Sequence, residues 1–287
     1  MSCPISDEDI KIGLWSLKVF KAPGPDGLHA GFFQRFWLLV GDSVKEEVKG
    51  IFFSDMILEY LNHTLITLIP KCKNPESFNH YRLISLCNTV HKVVSMIVVG
   101  RLRSLLPGLV SPYQTAFVPG WKGVDNAIIV QEIIHSMSKK KGRSGCMTIK
   151  IDLEKVYDRL KWSFIRDTLS LFRFLSHLIK LIMSCVSSSS ISILFNGGAL
   201  DPFLPSRGIR QGDPLSPYLF ILCMEVLAAF ILEKCSSNCW DPIKASRGGL
   251  TFSHLFFADD LVLFAKADQK NCVVIKEVLD SFCSISG

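Results

Sequence analysis

Apolar and polar positions change period along the chain, and each change marks an element. Ile10, Leu14 and Leu17 recur at helical spacing behind Ser6, a good helix cap, and Asp7, Glu8 and Asp9 fill the first turn, where the helix dipole favours acids. The KAPGPDG run at residues 21–27 carries two prolines and two glycines and stops that helix. A second helical stretch is predicted over residues 30–53, a short β-branched strand over 65–70, mainly helix over 83–106, and another helix over 126–138.

At Cys146 the period shortens. Met147, Ile149 and Ile151 alternate with Thr148, Lys150 and Asp152, as on a half-buried strand, and this puts Asp152 at the strand's C-terminal end. A helix is predicted over 155–175, then a hairpin of 191–195 and 199–204 around Asn196-Gly197-Gly198. Asp213 and Pro214 suit the N-cap and first position of a helix over 215–234. Residues 255–264 read as two apolar strands meeting at Asp259 and Asp260, and a helix over 270–283 follows. Strands and helices mix without regular βαβ alternation, so the fold class is α+β.

Composition narrows the choice of class. Hydrophobic residues make up 48% of the 287, which excludes a disordered chain and supports a sizeable core. The formal net charge of +6 suits a polyanionic partner without identifying one. Ten cysteines follow no framework, and Cys235 and Cys239 lack the second ligand pair that a zinc site needs. With no signal peptide at the N-terminus, the reading is intracellular, nucleus or cytoplasm, and not secreted. The apolar run 218–232 is broken by Glu225 and is shorter than the roughly 20 residues of a membrane span, so a buried helix is expected there.

Three places can carry chemistry. Adjacent carboxylates at Asp259 and Asp260, flanked by Phe256, Phe257 and Leu261 to Phe264, are costly to keep unless a cation relieves their repulsion. Mg²⁺ takes such ligands, one or two carboxylates plus substrate phosphates, although a plain hairpin turn is the simpler alternative. Asp152 could join them if its strand is a neighbour, bracketing two metal ions for an in-line phosphoryl displacement, or it could merely cap the next helix. The run 206–217, SRGIRQGDPLSP, offers Gly208 and Gly212 for unusual backbone angles, Arg207 and Arg210 for charge, and Gln211 as both donor and acceptor. It could equally be an ordinary helix-entry loop. The basic stretch 139–143 is read first as a solvated turn and otherwise as a contact for a nucleic-acid backbone.

The ordered set of KAPGPDG (21–27), IPK (69–71), YR (81–82), AFVPG (116–120), KIDLEK (150–155) with YDR (157–159), RQGDPLSP (210–217) and FADD (257–260) resembles the reverse transcriptase of plant-type non-LTR, or LINE-type, retrotransposons over almost the whole chain. The resemblance implies right-hand polymerase fingers and palm, with an antiparallel palm sheet packed on helices. It implies a helical extension with the KAPGPDG loop over 1–60, fingers over 61–145 and palm over 146–287, interleaved with the fingers. Asp152, Asp259 and Asp260 would be the catalytic, metal-binding carboxylates for Mg²⁺ (or Mn²⁺). Lys71 and Arg82 would grip the incoming dNTP, Tyr157 would exclude a ribose 2′-hydroxyl, and Gln211 and Gly212 would line the nucleotide and template side. The partners implied are an RNA template with a DNA primer and dNTPs, with no membrane.

Three departures accompany the match. Leu83 stands where the family usually has proline, which could free Arg82 to wander. Val156 replaces the usual alanine beside Tyr157 and adds bulk, and Trp121 replaces a common arginine. The chain ends about where the family continues into its thumb, so a truncated polymerase is expected. The alternative reading is a catalytically defective retrotransposon remnant with at most weak nucleic-acid binding.

Overall fold

The computed structural model describes residues 4–121, 123–139, 145–153, 155–244 and 249–287. Two compact units interleave in sequence: Met1–Leu102 with Leu160–Pro217, and Arg103–Arg159 with Tyr218–Gly287. The basic stretch 139–143 lies outside the described residues apart from Lys139.

In the first unit, α1 (Asp7–Trp15) opens on Ser6, whose hydroxyl accepts from the Asp9 amide while the Asp9 carboxylate accepts from the Ser6 amide. That reciprocal pair satisfies two donors the helix would otherwise leave bare. The stretch 30–53, expected as one helix, is two: α2 (Ala30–Arg35) and α3 (Trp37–Ser54), parted at Phe36 (φ −102°, ψ 24°). The bend keeps Phe33 buried and sets Trp37 edge-on to Trp15, ring centroids 5.4 Å apart. After α4 (Glu59–Asn62), β1 (Thr64–Pro70) pairs antiparallel with β2 (Tyr81–Cys87), from Thr64↔Cys87 to Pro70↔Tyr81.

The helix expected from residue 83 therefore begins later, as α5 (Thr89–Arg103). Alternation had the stronger claim over 81–87, because Ile84 and Leu86 fall opposite Thr67 and Leu65 in the ladder. After α5 come α6 (Leu106–Leu109) and α7 (Gly123–Lys139), β3 (Cys146–Asp152) and α8 (Val156–Arg159), all in the second unit. The predicted helix over 155–175 is split into α8 and α9 (Trp162–Leu171). The break sits where the chain passes between units, and there the buried Leu160 accepts from the Gly208 amide at 2.7 Å.

Helix α10 (Ser176–Ser187) was not expected. Its buried face of Leu178, Leu181, Ile182 and Cys185 is masked in the sequence by the serine-rich run that follows. The hairpin of β4 (Ile191–Phe195) and β5 (Gly198–Ala199) completes a sheet ordered β2-β1-β4-β5, with β4 parallel to β1.

The second unit is built around α11 (Ser216–Ser236) and an antiparallel sheet. Phe220, Ile221, Leu222, Met224, Leu227 and Ile231 of α11 are each at most 1% exposed, and burial of each such side chain contributes about 1.5–3 kcal/mol. No described helix is long and apolar enough to cross a membrane. Glu225, the acid inside this apolar run, is buried too, and burial pushes its carboxyl up from the usual range. It accepts from the Ser111 amide at 3.0 Å and hydroxyl at 3.2 Å, so the acid has an internal partner and ties down the segment after α6.

Strands β6 (Ile243–Lys244) and β7 (Thr251–Phe252) pair apart, and β8 (His254–Phe257) and β9 (Asp260–Lys266) join β3 in the order β3-β9-β8. Ile133 of α7 packs with Ile243, Leu255 and Phe264 to cover part of one sheet face. Residues 113–114 run along the free edge of β8, where Tyr113 accepts from the Phe256 amide at 2.8 Å, and Asn126 donates to both carbonyls. The last helix is α12 (Gln269–Ser286), capped by Asp268.

His254, on β8, is wholly buried, and burial alone pulls its imidazole down to about 3. The folded state thus refuses a proton that the unfolded chain accepts below about pH 6.5. We predict that second-unit stability, followed by urea denaturation, falls as pH drops below 6.5, by up to about 1.4 kcal/mol per pH unit. The variant His254→Phe should flatten that slope, and an unchanged slope would rule His254 out as its source.

Candidate active site

Asp152 closes β3 and stands in register with Asp260, the first residue of β9. Directly paired residues share a sheet face, with Cβ atoms about 4.5–5.5 Å apart. Asp259 occupies the second place of the two-residue turn between Phe257 and Asp260. Ala258, the first place, has φ 55°, a value glycine normally supplies in such turns. A backbone held there costs on the order of 1–3 kcal/mol, and strain of that kind gathers at working sites. Asp152 and Asp259 are exposed and Asp260 half-buried. Lys150, one alternation before Asp152, brings its Nζ to 3.1 Å from Asp260 Oδ1.

Tyr157 in α8 stacks on Phe220 of α11, centroids 4.9 Å apart and planes 23° from parallel. Burial, helped by the charge of Asp259, pushes its phenol up to about 12, so it is a neutral hydroxyl beside an acid at any ordinary pH. Val156 is only half-buried, which leaves its extra methyls room toward solvent, and Trp121 is half-buried as well.

The run 206–217 is pinned along its length within the first unit. Trp162 donates through Nε1 to the Gly208 carbonyl at 2.8 Å, and Gln211 accepts from the Ser85 amide of β2 at 2.7 Å. Gly212 has φ 112°, and a Cβ there would lie 2.9 Å from the Ser85 carbonyl oxygen, so both backbone angle and clearance demand glycine. Asp213 accepts from the Leu215 amide at 3.0 Å and so caps α11, which begins one residue later than expected.

Arg210, read from the sequence as a source of charge, is buried. It is 8% exposed and its guanidinium is used internally. One terminal nitrogen donates to Asn62 Oδ1 at 2.8 Å and Thr64 Oγ1 at 3.0 Å, and the other to the Cys185 carbonyl at 2.7 Å and Asp213 Oδ2 at 3.0 Å. His91 Nε2 lies 2.7 Å from Asp213 Oδ2. The same Arg210 nitrogen lies 2.8 Å from His91 Nε2, so the imidazole tautomer sets whether Nε2 accepts from Arg210 or donates to Asp213. Burial opposes the Asp213 charge, yet His91, Arg210 and the Leu215 amide together hold its carboxyl well below the ordinary range. Burial first, and then the Arg210 charge, pulls His91 down.

Among the described residues the one tight group of potential metal-ligand atoms is here, in Cys87, His91 and Asp213, within 4.8 Å of one another. A metal would have to enter beside the buried guanidinium, which already supplies the positive charge that Asp213 needs. Burial also pushes the Cys87 thiol up, away from the thiolate that binds metals. We read the group as an ion-pair hub rather than a metal centre.

Lys71 and Arg82 are exposed at the outer end of the β1–β2 hairpin. Arg82 pairs with Ile69, and the Lys71 amide donates to the His80 carbonyl at 2.7 Å, so alternation places both basic side chains on one face. Ladder pairing on both sides of Arg82 fixes its backbone without proline at position 83, which removes the expectation that Leu83 lets it wander. Thr67, Ile69 and Ile84 on that face line a cavity of about 430 Å³ together with Gly212, Lys21 and Lys92. The KAPGPDG loop reaches this cavity because Asn88 accepts from the Asp26 amide at 3.2 Å and donates to the Tyr60 and Leu61 carbonyls.

Comparison with known proteins decides the family. The profile of the reverse transcriptase (RNA-dependent DNA polymerase) family matches residues 69–287. The chain belongs to that family. The reverse transcriptase domain is 30% identical to a Pol polyprotein from the type-2 retrotransposable element R2DM of Drosophila melanogaster, over 99% of this chain and 25% of that protein. It is 26% identical to a 149 kDa protein of transposon TX1 from Xenopus laevis, over 93% of this chain and 20% of that protein. An uncharacterized mitochondrial protein of Arabidopsis thaliana is 46% identical over 23% of this chain and 55% of its own length. The domain is thus of the non-LTR retrotransposon kind, and it spans a fifth to a quarter of the first two of these relatives.

In this reverse transcriptase domain the structure brings Asp152, Asp259, Asp260 and Tyr157 together in the second unit. It sets Lys71, Arg82, Gln211 and Gly212 in the first. Sequence reasoning missed the hub of Asn62, His91, Arg210 and Asp213 and the anchor at Asn88. One signal was available, since a histidine inside the apolar run 90–99 needs an internal partner.

Proposed function

We propose that the chain carries RNA-directed DNA polymerase activity, adding dNTPs to a primer 3′-hydroxyl on an RNA template. The observation that carries this reading is the register Asp152↔Asp260 with Asp259 in the adjoining strained turn. These hard oxygen donors, exposed at Asp152 and Asp259 and half-buried at Asp260, fit Mg²⁺ (or Mn²⁺), and the contact with the Lys150 ammonium indicates that the site draws positive charge. Divalent ions held there by Asp152 and Asp259, with Asp260 beside them, would stabilise the attacking and leaving oxygens of an in-line displacement.

The protein's own groups do the rest. Lys71 and Arg82 bind the triphosphate through charge-assisted hydrogen bonds. The Tyr157 ring, braced by Phe220, closes the space where a 2′-hydroxyl would sit. Gln211 and Gly212, pinned to β2, line the nucleotide and template side, and the adjoining cavity with Lys21 and Lys92 suits a template strand. Residues 61–145 serve as fingers and 146–287 as palm, with residues 1–60 as a helical extension. The work is done inside the cell, in nucleus or cytoplasm.

The test is a primer ending in a dideoxynucleotide, annealed to RNA and presented to the protein with Mg²⁺. The next complementary dNTP should stabilise the complex against competitor, and the other three should not. Equal behaviour of all four would overturn the proposal in favour of a defective remnant that binds nucleic acid without selecting nucleotides.

A further inference from the structure

We propose that Lys150 is a tethered counter-cation of the metal carboxylates, which occupies Asp260 until a divalent ion displaces it. The inference rests on the reading of Asp152, Asp259 and Asp260 as metal ligands, and it concerns what those ligands do when no ion is bound.

The geometry follows from register. Lys150 pairs with Val262 while Asp152 pairs with Asp260, so all four residues lie on one face of the β3–β9 ladder. Asp260 is the diagonal neighbour of Lys150, a spacing that a long side chain can cross. The ammonium does cross it, ending 3.1 Å from Asp260 Oδ1. α7 and its partners cover this face around Val262 and Phe264, whereas the Lys150 side chain is 65% exposed and that of Asp260 39%. The lysine is therefore at the open end of the face, beside the acids and free to leave.

Three carboxylates at one sheet end repel each other unless a cation is near. Lys150 relieves part of that repulsion, and an incoming ion must first break its contact with Asp260. An ion that arrives with triphosphate oxygens brings further ligands of its own and loses less by the competition. The released ammonium then has phosphate oxygens to pair with. Lys150 is in this account a positioning residue that makes metal loading depend on nucleotide, and its charge is the property that matters.

The experiment is Mn²⁺ titration of the full chain, read by electron paramagnetic resonance without nucleotide. The proteins are wild type, K150Q, K150R, D260N and the K150Q/D260N double variant, each checked for native circular dichroism. K150Q should bind Mn²⁺ about two- to fivefold tighter than wild type, the range expected for losing an exposed ion pair. K150R should match wild type, and K150Q should have no effect in the D260N background. Raised salt should shrink the K150Q gain. Unchanged or weaker Mn²⁺ binding by K150Q overturns the proposal. If wild type shows no Mn²⁺ binding that D152N or D259N removes, the metal reading itself fails and takes this inference with it.

Discussion

Asp152→Asn and Asp259→Asn should each slow single nucleotide addition by at least about a thousandfold, the equivalent of several kcal/mol of lost transition-state stabilisation. Both side chains are exposed, so neither substitution opens a cavity or strands a buried group, and the fold should survive. Asparagine keeps the size and one oxygen but removes the charge that a divalent ion needs. The loss should fall on the rate of the chemical step, with dNTP retained by Lys71 and Arg82. Lys71→Ala should behave in the opposite way, raising KM for dNTP more than it lowers kcat. Rapid-quench measurement at saturating dNTP separates the two patterns. A D259N protein with near-normal chemistry would remove these carboxylates from the mechanism.

The second large effect is on stability. Arg210→Met should destabilise the first unit by about 3–5 kcal/mol, because it leaves Asp213 as a buried charge without its guanidinium. Asn62 Oδ1, Thr64 Oγ1 and the Cys185 carbonyl lose their donor in the same step. Arg207→Met, at an exposed neighbour, should change stability by less than about 0.5 kcal/mol. Urea denaturation of the two variants gives the comparison. Acid should act on the same hub with a definite sign. His91 is held below its ordinary value, so its contribution declines as pH falls below about 6.5. Asp213 is held below the carboxylate range, so its contribution is present above about pH 4 and is lost only in stronger acid. An Arg210→Met protein as stable as wild type would mean that the hub contributes specificity alone.

The parts of the fold legible in the sequence were those where local chemistry and burial agree. Alternation over 146–152 and the apolar flanks of Asp259 predicted β3, β8 and β9, whereas the pairing of Asp152 with Asp260, left open by the sequence, is supplied by the β3–β9 register. The Ser6 cap was equally plain, but the hairpin turn is Asn196-Gly197, with Gly198 paired to Phe195, and β5 covers Gly198–Ala199 instead of 199–204. What failed was set by tertiary pairing. Residues 81–87 became a strand because β1 offers a partner in register, a fact distant from any local window. α10 was hidden by serines, and the break before α9 falls where the chain changes units at Leu160.

The candidate site divides in the same way. Its charged endpoints announce themselves as conspicuous residues, Asp152, Asp259, Lys71 and Arg82, carried by a family resemblance. Its supports do not. Arg210 looks like plain charge until Asn62, His91, Cys185 and Asp213 converge on it from four places in the sequence. Nor does an exposed lysine on alternating residues announce that it will reach diagonally to an acid on the next strand.

The most direct test of the account is primer extension on a primed RNA template with Mg²⁺, run with wild type and D259A side by side. The account predicts extension by wild type that chelation of Mg²⁺ abolishes and that D259A lacks. Extension of equal extent by D259A would contradict it, as would no extension by folded wild type that forms the dNTP-selective complex.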